Sequence, residues 1–93
     1  MNKEDFKNKA KKSIDDIYAK INELEAKQDK VKGDVKAEYE EQLNNLKTKK
    51  EELQAKHEAL FNASDEKWDE VKSAFSSAAD SFKEGFSKIA SLL

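Results

Sequence analysis

His57 is the one histidine of the 93-residue chain and the side chain best suited to acid–base or metal chemistry. Glu51, Glu52, Gln54 and Glu58 lie close to it in the sequence, so a carboxylate–imidazole metal site is conceivable. A metal site normally needs three or four converging ligands, and no such arrangement is present here. We interpret His57 as a partly exposed residue on a helical seam, where its protonation could make the packing mildly sensitive to pH.

Neighbouring carboxylates, such as Asp15 and Asp16, resemble acid–base dyads in composition only. Adjacent residues of a helix do not face each other, and no pocket-forming loops accompany these pairs. The serines between 73 and 87 lack a base or a strained turn that would present a nucleophile. Because the chain has no Cys, thiol chemistry and thiolate metal sites are excluded. We predict no enzymatic activity, no metal and no cofactor.

All 18 basic residues are lysines, and the net charge is -2. Without Arg the chain lacks the rigid fork that reads guanine edges, so we expect no specific nucleic-acid binding. The Lys-rich stretch from Met1 to Lys12 is not followed by an apolar run. Nor does any stretch approach the roughly 18 consecutive apolar residues of a membrane span. We therefore expect a cytoplasmic location.

Helices must position all of these side chains. Charged residues make up 41% of the chain, Pro is absent and Gly occurs twice, so little interrupts a helix. Strand alternation and Asn-Gly or Asp-Gly hairpin turns are missing. The apolar residues recur at helical spacing, which disordered chains lack. The composition predicts an all-α protein of the coiled-coil type, with one domain over 1–93.

Two apolar stripes follow one another in the first two thirds of the chain. The first has steps of three and four, typical of a heptad seam, and comprises Ile14, Ile17, Ile21, Leu24, Gln28, Val31 and Val35. The second is diluted by polar residues and comprises Tyr39, Leu43, Leu46, Lys50, Leu53, His57 and Leu60. Steps of four join the two stripes, as in a coiled-coil stutter.

Gly33-Asp34 lies within that stutter and allows two interpretations. In one, Gly33 ends a helix and Asp34 caps the next. In the other, Gly33 is tolerated within one helix at a cost of about 1 kcal/mol. Because the stripe keeps one face across Gly33, we favour a continuous helix over about 3–61. The turn at Gly33-Asp34, which gives a three-helix bundle, stays open as the alternative.

A clear break is predicted at 62–64, followed by a helix over about 65–92. Ser64 is a suitable N-cap, and acidic residues follow it in the first turns. The apolar face of this helix is wide and aromatic, so it should pack against two or more neighbours. It comprises Trp68, Val71, Phe75, Ala78, Ala79, Phe82, Gly85, Phe86, Ile89, Leu92 and Leu93.

A helix over 3–61 would be roughly 90 Å long, and the C-terminal helix could cover only its second half. The seam from Ile14 to Val35 would then lack a partner within the chain. Such a seam predicts self-association, most simply a homodimer, or capture of another helical protein. The candidate interaction residues are Ile14, Ile17, Ile21, Leu24, Val31, Val35, Trp68, Phe75, Phe82 and Phe86.

Three parts of the sequence resemble those of known proteins: segment 36–43, segment 46–53, and segment 68–72 with the Phe75, Phe82 and Phe86 that follow it. With them the chain resembles short bacterial proteins known only as coiled-coil domain proteins of unknown function. Its amphipathic pattern is also loosely similar to exchangeable apolipoproteins. The first resemblance implies a helical coiled-coil fold, and neither implies an activity or a ligand.

The function that these observations favour is that of a non-enzymatic structural or interaction protein. The alternative is binding to a lipid or membrane surface through the amphipathic C-terminal helix.

Overall fold

A computed structural model describes residues 2–93 as three helices and, within that range, no strand. Helix α1 spans Lys3–Lys27, α2 spans Val35–Asn62 and α3 spans Trp68–Ala90, with a 3₁₀ turn at Gln28–Lys30 after α1. The helices run up, down and up in a bundle of 51 × 17 × 17 Å. The predicted all-α class is thus confirmed.

The favoured continuous helix over 3–61 is wrong, and the alternative turn at Gly33-Asp34 is what the structure contains. Gly33 has a φ of 74°, in the left-handed region that other residues avoid. Val31 is extended, with φ -80° and ψ 127°. These two residues reverse the chain, so that α2 returns along α1.

The second break is also longer than predicted. Helix α2 continues to Asn62, but α3 begins at Trp68, three residues after the expected start. Ser64 does not cap α3 directly. Its carbonyl accepts a hydrogen bond from the Lys67 amide at 3.1 Å, within a turn that leads into the helix. At the other end of the chain, the Asn2 side chain caps α1 by accepting from the Asp5 amide at 2.8 Å.

The apolar stripes of all three helices meet along the axis of the bundle. Each fully buried aliphatic or aromatic side chain there contributes about 1.5–3 kcal/mol of burial free energy. Among the described residues, no polar or charged residue is buried in this core. The core comprises Ala10, Ile14, Ile17, Ile21, Leu24, Val31, Tyr39, Leu43, Leu46, Leu53, Leu60, Trp68, Phe75, Phe82 and Ile89.

The three helices do not approach one another equally closely. At Gly85 the backbone of α3 approaches α2 so closely that an added Cβ would lie 2.8 Å from Leu46 Cδ2. Helices α1 and α3 are instead bridged by large rings: Phe6 lies edge-on to Trp68, with ring centroids 5.8 Å apart, and to Phe75 at 6.1 Å. Helices α2 and α3 form the tighter pair, and α1 packs against it through side chains.

Replacing Gly85 by Val should destabilise the bundle, because the new methyl groups would overlap the fully buried Leu46 side chain. We expect a loss of about 2 kcal/mol in the free energy of unfolding, as for other overpacked cores. Urea unfolding followed by circular dichroism measures it. Ser77→Val, on the exposed side of α3, is the matched control and should lose less than about 1 kcal/mol. Equal losses in both variants would contradict the close approach.

Candidate functional site

The structure places eight of the ten candidate interaction residues inside the bundle. Their side chains are at most 9% exposed, and they comprise Ile14, Ile17, Ile21, Leu24, Val31, Trp68, Phe75 and Phe82. Val35 remains 36% exposed, and Phe86 is partly buried against the core. The seam that lacked a partner in the long-helix interpretation is covered within the chain by α2 and α3. An uncovered seam on α1 therefore no longer supports a dimer.

Two polar contacts fix α1 against α2 near the connection between them. The Tyr39 hydroxyl donates a hydrogen bond of 2.6 Å to the Leu24 carbonyl in the buried interior. Burial raises the pKa of Tyr39, so the neutral donor is maintained. Lys47 Nζ lies 3.3 Å from Glu25 Oε1 on the surface. Sequence reasoning treated Tyr39 only as an apolar position, although a Tyr on a core stripe signals a hydroxyl that needs a partner.

The connection between α1 and α2 departs from helical backbone over very few residues. Gln28 is helical, with φ -54° and ψ -42°, and so is Asp34, with φ -68° and ψ -21°. Between them Val31 is extended and Gly33 is left-handed. The hydrogen bonds that close this turn are long: the Val31 amide lies 3.3 Å from the Gln28 carbonyl, and the Lys36 amide 3.3 Å from that of Gly33. We call residues 28–34 the hinge.

His57 packs where all three helices meet, toward the opposite end of the bundle from the hinge. Its ring centroid lies 5.0 Å from that of Phe61 and 6.1 Å from that of Phe75. Its Nε2 is buried and has no hydrogen-bond partner among residues 2–93. Burial lowers the pKa of His57; the charges of Asp15 and Glu58 act against this, and that of Lys11 acts with it. The neutral imidazole is therefore the form that this site accommodates.

No group of three or more His, Asp or Glu side chains within residues 2–93 is arranged to hold a metal ion. One contact that sequence reasoning missed joins α2 to α3: Lys49 Nζ donates a hydrogen bond to Ser81 Oγ. A Ser beside a Lys can serve as a nucleophile in hydrolases. Here both residues lie well inside long helices, where backbone amides are already bonded within the helix, so no oxyanion hole accompanies the hydroxyl. We assign the pair to helix packing.

The described part of the chain contains no helix with the length and apolarity needed to cross a bilayer. Comparisons with protein families, with curated proteins and with solved structures give no match to this chain. The resemblance to coiled-coil proteins stays a prediction, and function has to be argued from the geometry above.

The bundle should become less stable as the pH falls from 7.5 to 5.5. The folded chain, in which the pKa of His57 is lowered, takes up a proton less readily than the unfolded chain, whose His57 titrates near 6.5. The unfolded state thus binds more protons below that pH, and the free energy of unfolding decreases. Thermal unfolding at the two pH values measures this.

His57→Gln is the matched variant, because glutamine is polar but does not titrate. Its difference in Tm between pH 7.5 and 5.5 should be smaller than that of the wild type. The other ionisable groups are common to both chains, so their contribution cancels in the comparison. An identical difference in the two proteins would show that His57 titrates as it does in the unfolded chain.

Proposed function

We propose that this protein is a non-enzymatic interaction protein that acts through helix–helix packing with a second copy of itself, by exchanging α1. In the exchanged dimer the hinge straightens, α1 and α2 join into one long helix, and each α1 packs on α2 and α3 of the other chain. The observation that carries the proposal is one apolar stripe that runs from α1 through the hinge into α2.

The stripe across the hinge has helical spacing. Val31, Val35, Tyr39 and Leu43 follow one another in steps of four, which places them on one face of a straight helix. Helices that only fold back at a turn do not need aligned apolar faces. In the closed bundle Val35 is 36% exposed, so the stripe is not completely covered there. A long helix over 3–62 would present the whole stripe to a partner.

The contacts that hold α1 can re-form unchanged between two chains. They include the hydrogen bond from Tyr39 to the Leu24 carbonyl, the Glu25–Lys47 ion pair and the edge-on packing of Phe6 on Trp68. In such an exchange the closed and exchanged forms differ mainly in the hinge. The exchanged form gains helical hydrogen bonds at the hinge but loses translational and rotational freedom. The conformation of Gly33 therefore controls the balance.

Gly33→Ala should shift the chain toward the dimer. An added Cβ at Gly33 meets no atom within 4 Å, so the substitution acts through backbone conformation alone. Alanine disfavours the left-handed conformation by about 1 kcal/mol or more and favours a helix by about 1 kcal/mol. With two chains per dimer, this amounts to about 4 kcal/mol, on the order of a thousandfold in the dimer dissociation constant. Light scattering across a concentration series measures it.

Gly33→Asn is the matched control, because asparagine tolerates the left-handed conformation and should stay closer to the wild type. Exchange is distinguished from surface association by mixing isotope-labelled and unlabelled Gly33→Ala chains. Nuclear Overhauser contacts between Phe6 of one chain and Trp68 of the other are expected. A Gly33→Ala chain that keeps the mass of a monomer at high concentration and only melts earlier would contradict the proposal.

Binding to a lipid surface through α3 is the second candidate function, and the breadth of the aromatic face of α3 favours it. Trp68, Phe75 and Phe82 are core residues of the closed bundle, so α3 would have to leave α2 to meet lipid. This candidate predicts that the wild-type chain floats with anionic vesicles and that Trp68→Ala/Phe82→Ala floats less. Recovery of the wild type in the bottom fraction would discard it.

A further inference from the structure

A cavity of about 480 Å³ opens at the hinge end of the bundle, between the hinge and the residues that follow α3. Its apolar wall is formed by Val31 and Val35 on one side and by Leu92 and Leu93 on the other. Val35 is 36% exposed and Leu93 59% exposed. They are two of the three large apolar side chains exposed among the described residues, the third being Phe61 at the other end. Exposed apolar surface is therefore concentrated in this cavity.

The rim of the cavity is basic. Lys27, Lys30 and Lys32 line it, and no acidic residue does. Segment 27–36 contains four Lys and two Asp, a local net charge of +2 in a chain whose net charge is -2. Lys27 pairs with Glu23 at 2.9 Å, whereas Lys30 and Lys32 form no ion pair within residues 2–93. Two lysine ammonium groups next to an apolar wall fit a ligand with one anionic end and one apolar end.

We propose that this cavity binds a single medium-chain fatty acid, with its carboxylate at Lys30 and Lys32 and its alkyl chain against Val31, Val35 and Leu92. The volume lies within the range of about 300–1,000 Å³ that is typical of small-molecule sites. A concave site lined by four aliphatic side chains suits one flexible alkyl chain. Lysine is a flexible point charge that can reach a carboxylate whose position varies with chain length.

A ligand in this cavity would also affect the exchange of α1. Val31 and Val35 lie on both sides of Gly33, and the cavity exists only while the hinge folds them beside Leu92. A ligand that binds the closed form stabilises it in proportion to its occupancy. This coupling rests on the proposed exchange, whereas the binding itself does not. Decanoate should therefore lower the dimer fraction of Gly33→Ala, if that variant exchanges.

Titration of the wild-type chain with decanoate below its critical micelle concentration tests the site. Amide chemical shifts are expected to change in segments 27–36 and 88–93 and to remain constant near His57. Decanol, which has the same chain length without the charge, and acetate, which has the charge without the chain, should each bind at least about tenfold more weakly. Shifts spread over all three helices, or equal binding of decanol, would overturn the proposal.

Two variants separate the apolar wall from the basic rim. Val35→Asp places a carboxylate in the wall and should abolish decanoate binding. Lys30→Gln/Lys32→Gln should weaken it at least about tenfold. Lys9→Gln/Lys12→Gln removes the same charge from exposed positions in the other half of α1 and should bind as the wild type does. Equal weakening by both lysine pairs would reduce the effect to net charge and overturn the assigned site.

A final experiment with vesicles of anionic phospholipid distinguishes a fatty-acid site from a membrane-binding surface. Binding to vesicles without binding to monomeric decanoate would assign the basic rim to a membrane surface and overturn the fatty-acid site. Circular dichroism of each variant verifies that the bundle is intact, and measurement at low concentration keeps the wild type in one associative state. Failure of α1 exchange leaves decanoate binding to the wild type unaffected, so the two proposals fail independently.

Discussion

The left-handed conformation of Gly33 is the constraint on which the arrangement of α1 depends. It allows the chain to reverse within a few residues, so that the apolar seam of α1 meets the stripes of α2 and α3. Without this reversal, a heptad seam some 20 residues long would face water or a second chain. The turn is formed by few and long hydrogen bonds, which makes it a weak support for a large buried surface. Core burial, and not the turn itself, keeps the chain closed.

The bundle is assembled unequally around that core. Helices α2 and α3 approach closely at Gly85, whereas α1 and α3 are separated by the rings of Phe6, Trp68 and Phe75. Lysines lie over these rings, with Lys3 Nζ 5.5 Å from the Trp68 ring and Lys72 Nζ 5.3 Å from that of Phe6. Exposed cation–π contacts contribute only about 0.5–1 kcal/mol each. The bundle is therefore an α2–α3 pair to which α1 is attached through side chains, and this inequality supports the proposed exchange of α1.

Polar groups enter the interior in two contrasting ways. Tyr39 brings its hydroxyl to a carbonyl of α1, so burial of the group is compensated. His57 brings Nε2 to a place where residues 2–93 offer it no partner, and its neutral form is the one that fits. The first contact fixes the register of α1 on α2. The second leaves a buried ring nitrogen without a hydrogen bond, and the predicted dependence of stability on pH rests on it.

Much of this protein follows from the sequence alone. Helical spacing and the absence of Pro predict that nearly the whole chain is helical, and the apolar stripes identify nearly all core residues, from Ile14 to Ile89. The end of α1 was not determined, because Gly33 is compatible with a helix at a cost of about 1 kcal/mol and with a turn. Local propensity differs too little between these states to decide.

Tertiary packing decides between the helix and the turn at Gly33. Folding at Gly33 buries the seam of α1 within the same chain, a gain summed over many side chains that no local pattern displays. It also brings together groups distant in sequence: Tyr39 with Leu24, His57 with Phe75, and the hinge lysines with Leu92. The proposed functions depend on these contacts between distant parts of the sequence. They arise only once the chain has reversed, because helical periodicity specifies which face of a helix is apolar but not which helix will cover it.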